Sequence, residues 1–176
     1  MRTVNRQLST VNYLLLLLFI SLFSSCYTFR GISIPPEVFT FNVENFDNRA
    51  LEASPGLAQQ FTLALKDKIR NESRLKETSG NEVADVEFSG FISKFQTSAI
   101  APKPDEQTAL QQLKIYVKVE AKYKEDKFIE NEFNQTFNFQ VEYPSDQNLL
   151  DIQDVLVEEI FEQITTDVFN KAFTNW

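Results

Sequence analysis

The side chains able to do chemistry in this 176-residue chain are carboxylates, lysines and one thiol. Histidine is absent and cysteine occurs once. That excludes Cys/His zinc sites, Ser-His-Asp and Cys-His nucleophilic arrangements, and imidazole acid–base work. Glu158, Glu159 and Glu162 form the densest carboxylate group. Glu158 and Glu162 lie four apart, so they share a helical face at the spacing of a metal or acid/base pair. The same spacing describes an ordinary solvated helix face. No Gly-rich phosphate loop or nucleophile motif supports the catalytic reading, a carboxylate-dependent hydrolase. The lysines Lys114, Lys118 and Lys122 recur at even spacing along one alternating segment, where they would meet anions. Cys26 cannot form an intramolecular disulfide, so the fold must rest on packing.

The context of Cys26 is informative. Arg2 and Arg6 precede an apolar run at residues 13–23 (YLLLLLFISLF), and no acid appears before Glu37. A bilayer-spanning helix needs about 20 such residues, so this run has the length of a signal-peptide core. Ser24 and Ser25 then precede Cys26. The order resembles a bacterial lipoprotein signal, with Phe23 in place of the usual leucine. By that resemblance residues 1–25 are a signal peptide, and Cys26 is the lipidated first residue of the mature chain. No cofactor is expected beyond the acyl and diacylglycerol anchor at Cys26. Residues 26–36 read as a tether ending in Pro35-Pro36, and residues 37–176 as one domain.

Apolar periodicity supplies the elements of that domain. Phe39, Phe41 and Val43 alternate on one face of a first strand. Residues 47–55 read mainly as loop, with Ser54 as N-cap and Pro55 at the first helical position. Leu57, Phe61, Leu65 and Ile69 then form a helical stripe. Val86, Phe88 and Ile92 mark a second strand, and residues 98–108, with Pro102 and Pro104, an irregular connection. Leu113, Ile115, Val117, Val119, Ala121 and Tyr123 alternate without fault on a third strand. Phe133, Phe137, Phe139, Val141 and Tyr143 share a face on a fourth, reached through an irregular charged link. A last helix, capped at Ser145 or Asp146, buries Leu149, Ile152, Leu156, Ile160, Ile164 and Val168. The order β-α-β-β-β-α predicts an α+β fold, two helices packed on one face of a four-stranded mixed or antiparallel sheet.

The other sheet face is the candidate surface. Strand three presents Lys114, Tyr116, Lys118, Glu120 and Lys122; strand four presents Asn134, Thr136, Asn138, Gln140 and Glu142. Any hairpin register that keeps the apolar faces together sets these rows side by side. Such a face is either an ordinary wetted sheet surface or a contact for a partner wall or an anionic glycolipid. In the second case the lysines, with loop residue Lys103, would meet phosphates, and Asn134 and Asn138 sugar hydroxyls. The formal net charge of −8 excludes nucleic acid as the partner.

Three segments, SCYTFRGISIPPEVFTFNVENFDNRA, LAQQFTLALKDKI and IFEQITTDVFNKAFTNW, together with the element order, make the chain resemble the LptE family of lipopolysaccharide-assembly lipoproteins. The resemblance implies a non-enzymatic protein on the periplasmic face of the outer membrane. It implies a plug and assembly factor for an LptD-like β-barrel, with lipopolysaccharide as ligand and the membrane held through the lipid anchor. The alternative from the residues alone is a periplasmic lipid-binding carrier, motivated by 17 phenylalanines.

Overall fold

The computed structural model describes residues 31, 33–78, 82–100 and 109–174. The signal peptide, Cys26 and Lys103 lie outside the described residues. In chain order the elements are β1 (Thr40–Val43), β2 (Asp47–Asn48), α1 (Leu57–Glu72), β3 (Lys76–Glu77), β4 (Val86–Ile100), β5 (Leu110–Tyr123), a 3-10 turn (Asp126–Asn131), β6 (Phe133–Pro144) and α2 (Leu149–Phe173).

The fold is α+β, but the sheet has six strands where four were expected. The order is β3-β1-β4-β5-β6, with β2 also pairing on β4. β2 and β3 are two residues long. A two-residue strand leaves no alternation to read, so both fell within stretches that look like loop. β1 runs parallel to β3 and β4, β2 runs parallel to β4, and β4-β5-β6 is an antiparallel meander. The sheet is therefore mixed.

Both helices bury their stripes against the sheet. Leu57, Phe61, Leu65 and Ile69 of α1, and Leu156, Ile160, Ile164 and Val168 of α2, are buried as their spacing predicts, with Leu149 and Ile152 partly so. The six apolar positions of β5 from Leu113 to Tyr123 are all buried. Phenylalanine rings tie the layers together: Phe46–Phe61 at 4.9 Å, Phe61–Phe161 at 5.1 Å and Phe88–Phe173 at 5.9 Å between centroids. Edge-on aromatic pairs of this kind add about 0.5–1.5 kcal/mol beyond the area they bury. These contacts pack ring on ring within the interior.

Local hydrogen bonds explain where the elements depart from sequence expectation. Phe39 is 60% exposed while Val38 is buried. Val38 N–H closes a turn onto Pro35 O at 3.0 Å, and Phe39 and Thr40 N–H both point at the Asp85 carboxylate. Strand alternation thus begins only at Thr40. α1 starts after Gly56 with no side-chain cap. Ser54 is held in the preceding turn, its carbonyl accepting from Leu57 N–H at 3.1 Å and from Asn48 Nδ2 at 3.2 Å. α2 is capped by Asn148, whose Oδ1 accepts from Leu150 N–H at 3.3 Å. Ser145 lies too early to cap: its N–H still bonds Ala109 O at 2.9 Å, extending the β5–β6 ladder, and the helix begins only at Leu149. β4 continues to Ile100, into the stretch read as irregular. The end of the expected tether is pinned: Ser33 N–H bonds Phe173 O at 2.6 Å, and Arg74 Nη2 donates to Pro35 O at 2.7 Å.

Candidate functional site

The open face of the sheet is built by three long strands in fixed register. Lys114 lies opposite Gln140, Tyr116 opposite Asn138, Lys118 opposite Thr136, and Glu120 opposite Asn134. The rows of lysine and amide therefore stand side by side. On the other flank of β5, Gln96 faces Lys114, Lys94 faces Tyr116, Phe91 faces Lys118, and Ser89 faces Glu120. The register shifts between Ile92 and Lys94, so Ser93 is the extra residue of a bulge. Ser93 Oγ donates to Tyr116 O at 3.2 Å, and beyond it Lys94 shares the open face with Phe91.

Two aromatic rings organise the cations there. Arg49 Cζ stands 3.8 Å from the Phe91 centroid, with Lys118 Nζ at 6.0 Å from the same ring. Lys94 and Lys114 flank Tyr116 at 5.5 and 5.3 Å. Each such contact attracts the cation to the ring quadrupole and contributes about 0.5–1 kcal/mol at an exposed site. Of these cations only Arg49 has a carboxylate partner among the described residues, Asp47 at 3.3 Å. Lys122 differs, since its Nζ is paired with Glu120 at 3.1 Å. The structure thus brings Lys114, Lys118, Asn134 and Asn138 onto one face and neutralises Lys122 at its margin.

Two open depressions border the aromatic positions. One of about 300 Å³ is lined by Arg49, Phe91, Lys118, Asn134 and the acids Glu44 and Glu120. A second of about 380 Å³ lies beside Arg49, Lys94, Gln96 and the projecting Leu51. The site is a shallow polar surface with cations held on rings. Such a surface can contact an extended anionic or polar partner. Sequence reading missed Arg49, Phe91 and Lys94. Arg49 sits just past a two-residue strand, and the bulge at Ser93 breaks the alternation that would have placed Lys94 beside Phe91.

The hydrolase candidates lie elsewhere. Glu158 and Glu162 are exposed and line a groove of about 690 Å³ between α1 and α2, with Asp67, Lys68 and Glu72. Lys68 Nζ already pairs with Glu72 at 2.7 Å. Among the described residues no three acids or cysteines are placed to hold a metal ion.

Comparison with known proteins gives the site its context. The family model LptE, lipopolysaccharide-assembly, matches residues 39–172. No curated protein matches the chain. Among solved structures, a protein from Xanthomonas campestris is 10% identical with a TM-score of 0.50, over 79% of this chain and 88% of that one. Rare lipoprotein B from Shewanella oneidensis is 13% identical with a TM-score of 0.45, over 73% and 91%. A minor lipoprotein from Acinetobacter baumannii is 7% identical with a TM-score of 0.46, over 75% and 90%. At these identities the first likeness shows a shared fold.

Proposed function

The chain belongs to the LptE family of lipopolysaccharide-assembly proteins, and from that premise we propose that it is an outer-membrane lipoprotein acting as plug and assembly factor for an LptD-like β-barrel. The observation that carries this reading is the family match over residues 39–172, which takes in all six strands and nearly all of both helices. The family is one of non-enzymatic assembly factors. In this reading Cys26 carries the lipid that holds the domain at the periplasmic face of the outer membrane. The open sheet face would meet lipopolysaccharide or the barrel wall through Lys114, Lys118, Asn134 and Asn138, with Arg49 and Lys94 as the added cations. Lys122 contributes less because Glu120 already holds it, and Lys103 lies outside the described residues.

The test is affinity purification of tagged protein from membranes, with depletion alongside. Co-purification of a large outer-membrane barrel, and loss of surface lipopolysaccharide on depletion, are the expected results. Failure of both sinks the reading. Mass spectrometry of the mature N-terminus checks the anchor separately: an acylated Cys26 is expected, and an intact Arg2 or a bare Tyr27 would refute it.

A further inference from the structure

The depression of about 300 Å³ beside Phe91 carries charges of both signs. Its cations are Arg49 and Lys118, and its acids are Glu44, Asp47 and Glu120. Internal pairing accounts for most of them: Asp47 holds Arg49 at 3.3 Å, and Glu120 holds Lys122 at 3.1 Å. Two charges are left over. Among the described residues Glu44 and Lys118 have no ion-pair partner, and the side chains of Asn45, Ser89 and Asn134 beside them make no hydrogen bond. A single unpaired charge on a surface is ordinary, because water solvates it. One unpaired acid and one unpaired base opening on the same concavity describe a ligand that carries both signs.

The sheet sets the distance between the two. Glu44 is one step past Val43, which pairs with Phe88 of β4, and its N–H bonds Phe88 O at 2.8 Å. Lys118 pairs with Phe91 from the other side of β4. Two strand spacings across and two residues along put their Cα atoms about 12 Å apart. Between them stands Phe91, which gathers the cations: Arg49 Cζ lies 3.8 Å and Lys118 Nζ 6.0 Å from its centroid. Asp47 engages one terminal nitrogen of Arg49, and the guanidinium has further N–H donors to give. An anion seated over the ring therefore meets two donors, with a free carboxylate across the gap.

We propose that this depression binds a phosphoethanolamine group, the phosphodiester oxygens on Arg49 and Lys118 and the primary ammonium on Glu44. The proposal rests on the open face as a binding surface and names a group it takes. A bare phosphate meets three acids against two cations, and a bare amine leaves Lys118 unanswered. An α-amino acid carries both charges on one carbon, too close together to bridge the gap. In phosphoethanolamine two carbons and an ester oxygen hold them apart. The concavity favours a head group that enters it over a barrel wall, whose strands stay in their own sheet.

The test is an amide NMR titration of the full chain in nonionic detergent with glycerophosphoethanolamine. Saturable shifts are expected at Glu44, Ser89, Phe91 and Lys118. Glycerophosphoglycerol, which lacks the ammonium, and ethanolamine, which lacks the phosphate, should each bind about fivefold more weakly, the upper worth of one exposed charge contact. Glu44→Gln should erase the preference over glycerophosphoglycerol, and Lys118→Gln the preference over ethanolamine, with the rest of each spectrum unchanged. Two further arms identify the source of the group. Micelles doped with phosphatidylethanolamine or phosphatidylglycerol test a phospholipid, and lipopolysaccharide with or without the group tests the glycolipid. No shift at these amides, equal binding of glycerophosphoglycerol, a preference that survives Glu44→Gln, or no preference in either arm would each overturn the proposal. Capture of lipopolysaccharide lacking the group, without these shifts, would remove this site and keep the open face as a binding surface for the glycolipid. The shifts without any capture of lipopolysaccharide would do the reverse.

Discussion

At the scale of single residues, a few close approaches hold the sheet together, and they make the sharpest predictions. Gly90 sits where a Cβ would lie 2.0 Å from Lys118 O and 2.7 Å from Phe46 Cε1, both in the path of any larger side chain. Gly90→Ala must push the β4–β5 backbone apart or displace Phe46 from Phe61. A loss of roughly 3 kcal/mol in urea unfolding is expected, at the upper end for overpacking. Asp85 fastens the start of β1 to β4. Burial alone would raise its carboxyl, but hydrogen bonds from Phe39 N–H and from the Thr40 hydroxyl and N–H, with Lys124 nearby, hold it below its ordinary value of 3.8. A lowered folded value means that unfolding takes up a proton in acid. The stabilisation is thus present above the ordinary value and lost as pH falls through the folded one. Urea midpoints of the wild type should drop below about pH 4, and Asp85→Asn should be less stable at neutral pH with a flatter acid limb.

Secondary-structure elements show which parts of the fold were legible. α1, β5, β6 and α2 were readable because each is long enough to repeat its period several times. β2 and β3 were not, since two residues carry no period. The helix starts were misplaced for a related reason: several hydroxyl and amide residues stand near each start, and only tertiary bonds choose among them. Ser54 is spent in a turn and Ser145 in the sheet ladder, which leaves Asn148 as the cap of α2. Asn148→Ala should therefore cost about 1 kcal/mol, whereas Ser54→Ala should change stability little. Thermal melts of the two variants side by side would check this, and an equal loss in both would contradict the assignment. The open face was half legible. Alternation, faultless in β5 and broken only by Gln135 in β6, placed Lys114 and Lys118 beside Asn134 and Asn138, but the bulge at Ser93 hid Lys94 and Phe91.

For the whole molecule, the charge distribution decides how the open face could hold an anionic glycolipid. The chain carries a formal net charge of −8, so its long-range field repels phosphates and gives no steering toward them. Contact must come at short range, from cations already positioned on rings. Lys94 and Lys114 stand about Tyr116 without carboxylate partners among the described residues, as Lys118 does beside Phe91. Lys122 is tied to Glu120 at 3.1 Å. Two double variants separate unpaired lysines from a lysine already held by an acid. The double change Lys114→Gln and Lys118→Gln removes two free cations; Lys122→Gln paired with Glu120→Gln removes a neutralised couple. Capture of lipopolysaccharide should fall about tenfold in the first, since two exposed charge contacts of up to about 1 kcal/mol each are lost. The second should bind within about twofold of wild type, because a surface ion pair is worth little. Moderate salt should weaken the wild type less than it weakens a basic protein, as it screens the repulsive field along with the contacts. Equal losses in the two variants, the second of which leaves the net charge unchanged, would mean that binding does not depend on the unpaired lysines, and their placement on Phe91 and Tyr116 would then have no part in it.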